Sequence, residues 1–242
     1  MSIVGKIESL WRYPVKSMRG EELAGAFVGF AGISGDRLFA FKSSARPQRF
    51  PYLTGREQPT MLLYRPRFRT SLVATPAELA VEVETPTGEI LAVDDPALGR
   101  MLAAGLRQGH MLTLLRSERA LTDCHPLSLF SLQTARRLGA ETGATPDKRR
   151  FRANVYLDLG SAPGFAEDGF VGRKLRLGAQ VVLAVVERDP RCKMITLDPD
   201  TAEPNPDLLR KITRDHEGKA GVYATVLVEG PLRPGDAIEL LS

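Results

Sequence analysis

Cysteine is scarce in this 242-residue chain, which has only two. Two cysteines cannot build the disulfide framework of a secreted scaffold. Nor do they supply the spacing of a zinc ribbon or the four ligands of an iron–sulfur cluster. Histidine is almost as sparse, with three residues. There is no Gly-x-Gly-x-x-Gly loop and no P-loop, so nucleotide phosphates lack their usual cradle. No apolar run approaches the about 20 residues that span a bilayer, and nothing resembles a secretory signal. A soluble protein of a reducing cytoplasm, with no membrane partner, is expected. Aromatics amount to 7%, and Trp11, Tyr13 and Phe39 are too scattered to form a stacking platform. A net charge of +4 therefore permits anionic partners without making nucleic acid one of them.

What is present is ordinary globular material, 43% hydrophobic and 26% charged, long enough for one large domain or two small ones. The patterning is mostly β. Ile3 to Leu10, Arg37 to Phe41, Ala153 to Leu159, Lys174 to Leu177 and Gln180 to Val186 read as strands. So do His110 to Leu115, Gly221 to Glu229 and Ala237 to Leu241. Leu79 to Glu84 alternates apolar and acidic residues, and Thr85-Pro86-Thr87-Gly88 turns it into Glu89 to Val93 as a hairpin. Three helices are expected. Pro96 to Leu106 carries Leu98, Met101, Leu102 and Leu106 on one face. A second starts at an Ser131 N-cap with Gly139 near its end, and a third starts at Asn205-Pro206-Asp207 with Gly218 beyond it. The sum is an α+β fold, mainly β and barrel-like. A boundary near Arg116–Ala120 divides it into residues 1–118, a smaller β-rich domain, and 119–242.

The most informative segment is Asp189-Pro190-Arg191-Cys192-Lys193, with Asp198-Pro199 following. It places a cysteine between two cations just past an apolar strand, where neighbouring positive charge favours the thiolate that attacks or binds metal. Each Asp-Pro reads as a turn. A small buried hydrophobe is the other reading of Cys192. Cys124-His125 is a tempting pair, but adjacent residues on an extended strand face opposite ways, and both are taken as structural. Small hydroxyls and cations also stand where loops meet regular structure: Lys16-Ser17, Arg37, Ser131 and Thr134 in the first turn of a helix, Arg152 and Asn154, and Arg191. As a set they suit a ligand combining a phosphate, a polar heterocycle and a soft metal.

Four ordered motifs carry a resemblance: Tyr13-Pro14-Val15-Lys16-Ser17; Gly35-Asp36-Arg37; Arg150-Phe151-Arg152-Ala153-Asn154; and Arg191-Cys192 with Thr196 and Asp198-Pro199. With Gly221-Val222-Tyr223 and Pro234-Gly235-Asp236, the chain resembles the MOSC family, related to the C-terminal domain of molybdenum cofactor sulfurase. Residues 1–118 resemble its N-terminal β-barrel domain and 119–242 the MOSC domain. The functional relatives it is most similar to are the amidoxime-reducing components and their bacterial counterparts. The resemblance implies a molybdenum–molybdopterin cofactor with Cys192 as its protein thiolate ligand. Lys16, Ser17, Arg37, Ser131, Thr134, Arg152, Asn154, Arg191 and Tyr223 would bind the cofactor, and Asp198 would assist catalysis by orienting the cysteine loop or a metal-bound water. The family as a whole is also associated with pyridoxal phosphate binding.

The implied activity is reduction of small N-hydroxylated substrates. No ferredoxin-like extension or membrane anchor is expected, so electrons would come from a separate flavin or iron–sulfur donor. The alternative is a carrier that holds sulfur on Cys192, or delivers the molybdenum cofactor, without redox turnover.

Overall fold

Valine, isoleucine and leucine recur at every second position along the longer β segments, and the chain folds them into strands with one face inward. The computed structural model describes residues 2–46, 49–69, 80–106 and 111–241. The first half contains β1 (Ser2–Arg12), β2 (Glu21–Leu23), β3 (Ala26–Gly29), β4 (Gly32–Ile33) and β5 (Phe39–Ser43). It continues with β6 (Arg65–Phe68), β7 (Val81–Glu84), β8 (Ile90–Ala92), helix α1 (Pro96–Ala104) and β9 (Leu112–Arg116). The second half contains β10 (Leu127–Ser131), α2 (Leu132–Thr142), β11 (Val155–Asp158), β12 (Lys174–Leu177) and β13 (Val181–Pro190). Helix α3 (Asp207–Asp215), β14 (Lys219–Val228), β15 (Gly230–Leu232) and β16 (Ala237–Leu241) complete it.

The largest sheet runs β11-β10-β14-β13-β12-β16-β1-β2, and β11 also pairs with β1, closing a seven-stranded barrel. Only β10–β11 is parallel among these pairs. Inside lie Ile7, Leu10, Leu129, Leu157, Leu183, Val222 and Ile238. The expected boundary follows chain order, but hydrogen bonding crosses it. Strand β1 is a barrel stave between β11 and β16, and β3 pairs with β15. What is left of the first half packs β5–β9, the β6-β7-β8 meander and α1 around Val15, Met18, Phe41, Met61, Val83, Leu98 and Leu102. A third cluster, containing Trp11, Tyr13, Phe130, Phe151, Ile195 and Ile212, lies between barrel and helices. No helix among the described residues is long and apolar enough to cross a membrane.

Most expected elements form, with informative shifts. The hairpin is β7–β8, its turn tightened by Gly88 at φ 87°, while Leu79 lies outside the described residues. His110, the expected start of β9, is also outside them. Arg37 does not begin a strand; it stays in the turn at φ 47°, and β5 starts at Phe39. Asp189-Pro190 is not a turn. Both residues end β13, with Pro190 opposite Lys219; the missing proline N–H is tolerated at a strand end. Asp198-Pro199 does turn: the Asp198 carboxylate accepts from the amides of Asp200 and Thr201.

Ser131 caps α2 as expected, accepting from the Thr134 amide at 3.0 Å. Gly139 does lie near the helix end, and Gly143, in the left-handed conformation, caps it. Gly139 serves packing instead. A Cβ there would stand 2.6 Å from the Cα of Thr145, whereas a Cβ on Gly99 in α1 would meet nothing within 4 Å. Alanine favours helix over glycine at both positions by about 0.5–1 kcal/mol. Gly99→Ala is therefore expected to raise stability by about that amount in urea denaturation. Gly139→Ala is expected to lower it by about 1–3 kcal/mol through overpacking.

Candidate functional site

Six segments contribute to one cleft between the barrel and the smaller subdomain. They are the loop after β1, the turn before β5, residues 54–56, the lead into β10, the turn before β11, and the end of β13. Tyr223 of β14 adds a wall opposite Ser128. Ser17, Arg37 and Arg152 all face this cleft and all have positive φ, at 67°, 47° and 54°. That conformation costs a non-glycine residue about 1–2 kcal/mol. Among the described residues, only Phe165, Ala202 and Glu217 share it without being glycine. Strain concentrated in this way marks loops whose surroundings force a geometry.

Six cations line the cleft: Lys16, Arg37, Arg56, Arg150, Arg152 and Arg191, against Asp123 and Asp189. Four of them have carboxylate partners. Lys16 pairs with Asp123 and also donates to the Leu121 carbonyl at 2.7 Å; burial pushes its pKa down, against the opposing pull of Asp123. Arg37 pairs with the buried Asp36 and donates to the Arg152 carbonyl at 3.1 Å. Arg150 pairs with Asp198 at 2.7 Å. Arg191 lies 2.8 Å from Asp189, and burial pushes that carboxyl's pKa up despite the guanidinium.

Arg152 and Arg56 have no carboxylate within ion-pair distance among the described residues. Arg152 stacks over Tyr13, 4.3 Å from ring centre, and its Nη2 is buried without a hydrogen-bond partner. Burial and the neighbouring Arg37 push its pKa down. A cation kept in that condition calls for an anion from outside the chain.

Cys192 stands half-buried at the cleft, at the start of a short 3-10 helix over Lys193–Thr196. Its cationic neighbours are committed elsewhere, contrary to the sequence expectation. The Arg191 guanidinium donates to the carbonyls of Ala220 and Phe151 as well as pairing with Asp189, and Lys193 donates to the Arg56 carbonyl. Asn154 lines the cleft, but its amide is used internally. Its Nδ2 donates to Trp11 and its Oδ1 accepts from the Ser128 amide, both at 3.3 Å. Tyr223 faces Asp189, and burial together with that carboxylate pushes its phenol pKa up.

Three expected residues lie outside the cleft lining. Ser131 and Thr134 are fully buried, and both hydroxyls donate to Glu167 at 2.7 Å. The start of α2 does attract an anion, but the anion is this internal carboxylate. Asp198 lies outside the lining and holds Arg150, which also bonds the Thr196 carbonyl in the turn after Cys192. Conversely, Ser128, Asp189, Asp123, Arg56, Arg150 and His125 line the cleft without having been singled out for it. Asp189 was hidden by its proline, which suggested a turn. His125 faces the cleft and bonds Glu187 at 3.0 Å, while Cys124 is exposed outside the lining. The two stand in a bend rather than on an extended strand. Burial and three carboxylates push the Cys124 thiol pKa up, away from thiolate.

The MOSC domain profile matches residues 116–239, and the MOSC N-terminal beta barrel domain profile matches residues 4–104. The chain belongs to the MOSC family. Over 126 residues, 51% of its length, this MOSC protein is 32% identical to the molybdenum cofactor sulfurases of Drosophila pseudoobscura pseudoobscura and Drosophila persimilis. It spans 14% of each of those proteins. Its fold is similar to that of the YuaD protein from Bacillus subtilis, with a TM-score of 0.51 at 16% identity, covering 98% of this chain and 94% of that one.

The Asp189–Arg191 pair fixes the approach to Cys192 in this MOSC protein. Asp189→Asn leaves the Arg191 charge buried without its counterion, which typically costs about 3–5 kcal/mol. Chemical denaturation is expected to show a loss of that size. Arg210→Ala, which breaks a solvent-exposed pair with Asp207, is expected to shift stability by less than about 1 kcal/mol.

Proposed function

We propose that this MOSC protein binds a molybdenum–molybdopterin cofactor in the cleft and reduces small N-hydroxylated compounds with it. The observation that carries the reading is that Cys192 and the counterion-less Arg152 open on the same cleft. The donor set suits such a group. Arg152, aided by Lys16 and Arg37, offers charge-assisted hydrogen bonds to a phosphate, and Cys192 offers one soft sulfur ligand. Among the described residues no three His, Cys, Asp or Glu side chains gather to hold a metal. A metal here would therefore need to bring most of its ligands with it, as a dithiolene-bearing pterin does.

When bound, the cofactor supplies two-electron reduction with removal of an oxygen atom. The chain's own residues bind and orient. Cys192 holds its place because the Arg191–Asp189 pair anchors the end of β13 and Lys193 ties the following turn to residue 56. Arg150, fixed by Asp198 and the Thr196 carbonyl, closes the same turn from the barrel side. Asn154 keeps Ser128 and the end of β1 in register, which sets where Arg37 can reach. Ser17 and Tyr223 complete the walls. The electron donor in this reading is a separate flavin or iron–sulfur protein, and the setting is cytoplasmic.

A second reading, a sulfur carrier or cofactor-delivery protein without turnover, is favoured by the half-exposed thiol and the similarity to sulfurases. Metal and pterin analysis of wild type and Cys192→Ser separates the two. Stoichiometric molybdenum, amidoxime reduction with an artificial donor, and loss of at least 100-fold in activity in Cys192→Ser are expected. Full activity in the variant would overturn the role of Cys192. Sulfane sulfur without molybdenum, in cells rich in cofactor, would favour the carrier.

A further inference from the structure

Arg56 is the other cleft cation without a carboxylate, and its surroundings differ from those of Arg152. It comes from the smaller subdomain and is fastened to the cysteine turn. Lys193 Nζ donates to the Arg56 carbonyl at 3.0 Å, and a Cβ on Gly55 would stand 3.0 Å from Met194 Sδ. Its stem is equally fixed. Nε donates to Thr54 Oγ1 at 3.3 Å, that hydroxyl donates to Glu57 at 2.7 Å, and the guanidinium lies 5.0 Å from the centre of the Phe50 ring. Asp123 feels the Arg56 charge, but its carboxylate is bonded to Lys16. The two Nη groups of Arg56 are thus a held fork with no hydrogen-bond partner among the described residues.

We infer that the cleft takes a small substrate bearing an oxyanion, carboxylate or phosphate, and that Arg56 is the residue that reads it. A planar guanidinium held at its Nε presents two parallel donors to a carboxylate or phosphate, a match that an ammonium cannot reproduce. Arg152 answers a different anion. It is on the barrel side, stacked on Tyr13, whereas Arg56 is tied to the turn that follows Cys192. The inference rests on the reading that Cys192 marks the reacting end of the cleft.

Two measurements test it. In the first, the side-chain Nε–H resonance of Arg56, assigned by its disappearance in Arg56→Gln, is followed by NMR in wild-type protein. Benzoate, phenyl phosphate and benzamide are added in turn. A saturable shift with the anions and none with benzamide is expected, and the anion acting at lower concentration tells carboxylate from phosphate. A resonance unmoved by both anions overturns the inference. In the second, molybdenum-loaded protein is assayed with 4-carboxybenzamidoxime and benzamidoxime. The ratio of their kcat/KM values is expected to fall at least tenfold in Arg56→Gln and to recover partly in Arg56→Lys. An unchanged ratio overturns the inference. If neither compound is reduced, the reductase reading fails, and the resonance experiment still decides the role of Arg56.

Discussion

Closure of the barrel by β1 is the constraint on which the rest depends. The strand pairs with β11 along one edge and β16 along the other, with register shifts at Ile7/Ser9 and Ile3/Gly5. Because its far end runs directly into Tyr13–Ser17, the same stave that completes the barrel carries Lys16 and Ser17 to the cleft. The Tyr13 amide donates to Asp36 at 2.8 Å, and Asp36 in turn holds Arg37. One closed hydrogen-bond circuit therefore sets the position of the smaller subdomain's cations relative to Cys192 on the opposite wall.

Charge is arranged with the same economy. Burying a guanidinium is unfavourable without a partner, and the chain supplies partners for Arg37, Arg150 and Arg191 from residues one or two positions away or from the neighbouring turn. Those pairs fix backbone and neutralise part of the charge at the cleft. The two arginines without such partners stand on different sides of the cleft, which separates the group that would hold a cofactor from the group that would select what it acts upon. Glu167 at the start of α2 shows the opposite solution: a place suited to an anion, filled from within.

Much of this was legible in the sequence because local chemistry controlled it. The β7–β8 hairpin, the Ser131 cap, the left-handed Gly218 after α3 and the apolar run of β13 all depend on neighbours within a few residues. Lys16, Ser17, Arg37, Arg152, Asn154, Arg191, Cys192 and Tyr223 do meet at the cleft. What could not be read depends on distant partners. Ser131 and Thr134 look like a ligand-binding turn until Glu167 arrives from 33 positions or more further on. Asp189 resembles a turn residue until Ser128, 61 positions away, donates to it at 2.7 Å. Cations beside a cysteine lower its pKa only if they point at it, and direction is a property of the assembled fold.

The placement of β1 also has a consequence in time. During synthesis β1 has only β2 beside it, along Leu10–Arg12, until residues 155–158 and then 237–241 have been made. One edge waits for β11, and the stretch Ser2–Lys6 of the other stays open until β16 follows. Pairings of such long sequence separation form slowly, and unpaired strand edges are where chains associate wrongly. Until both partners are in place β1 is open to misassembly, and a chaperone that shields it would protect the barrel and the cleft together.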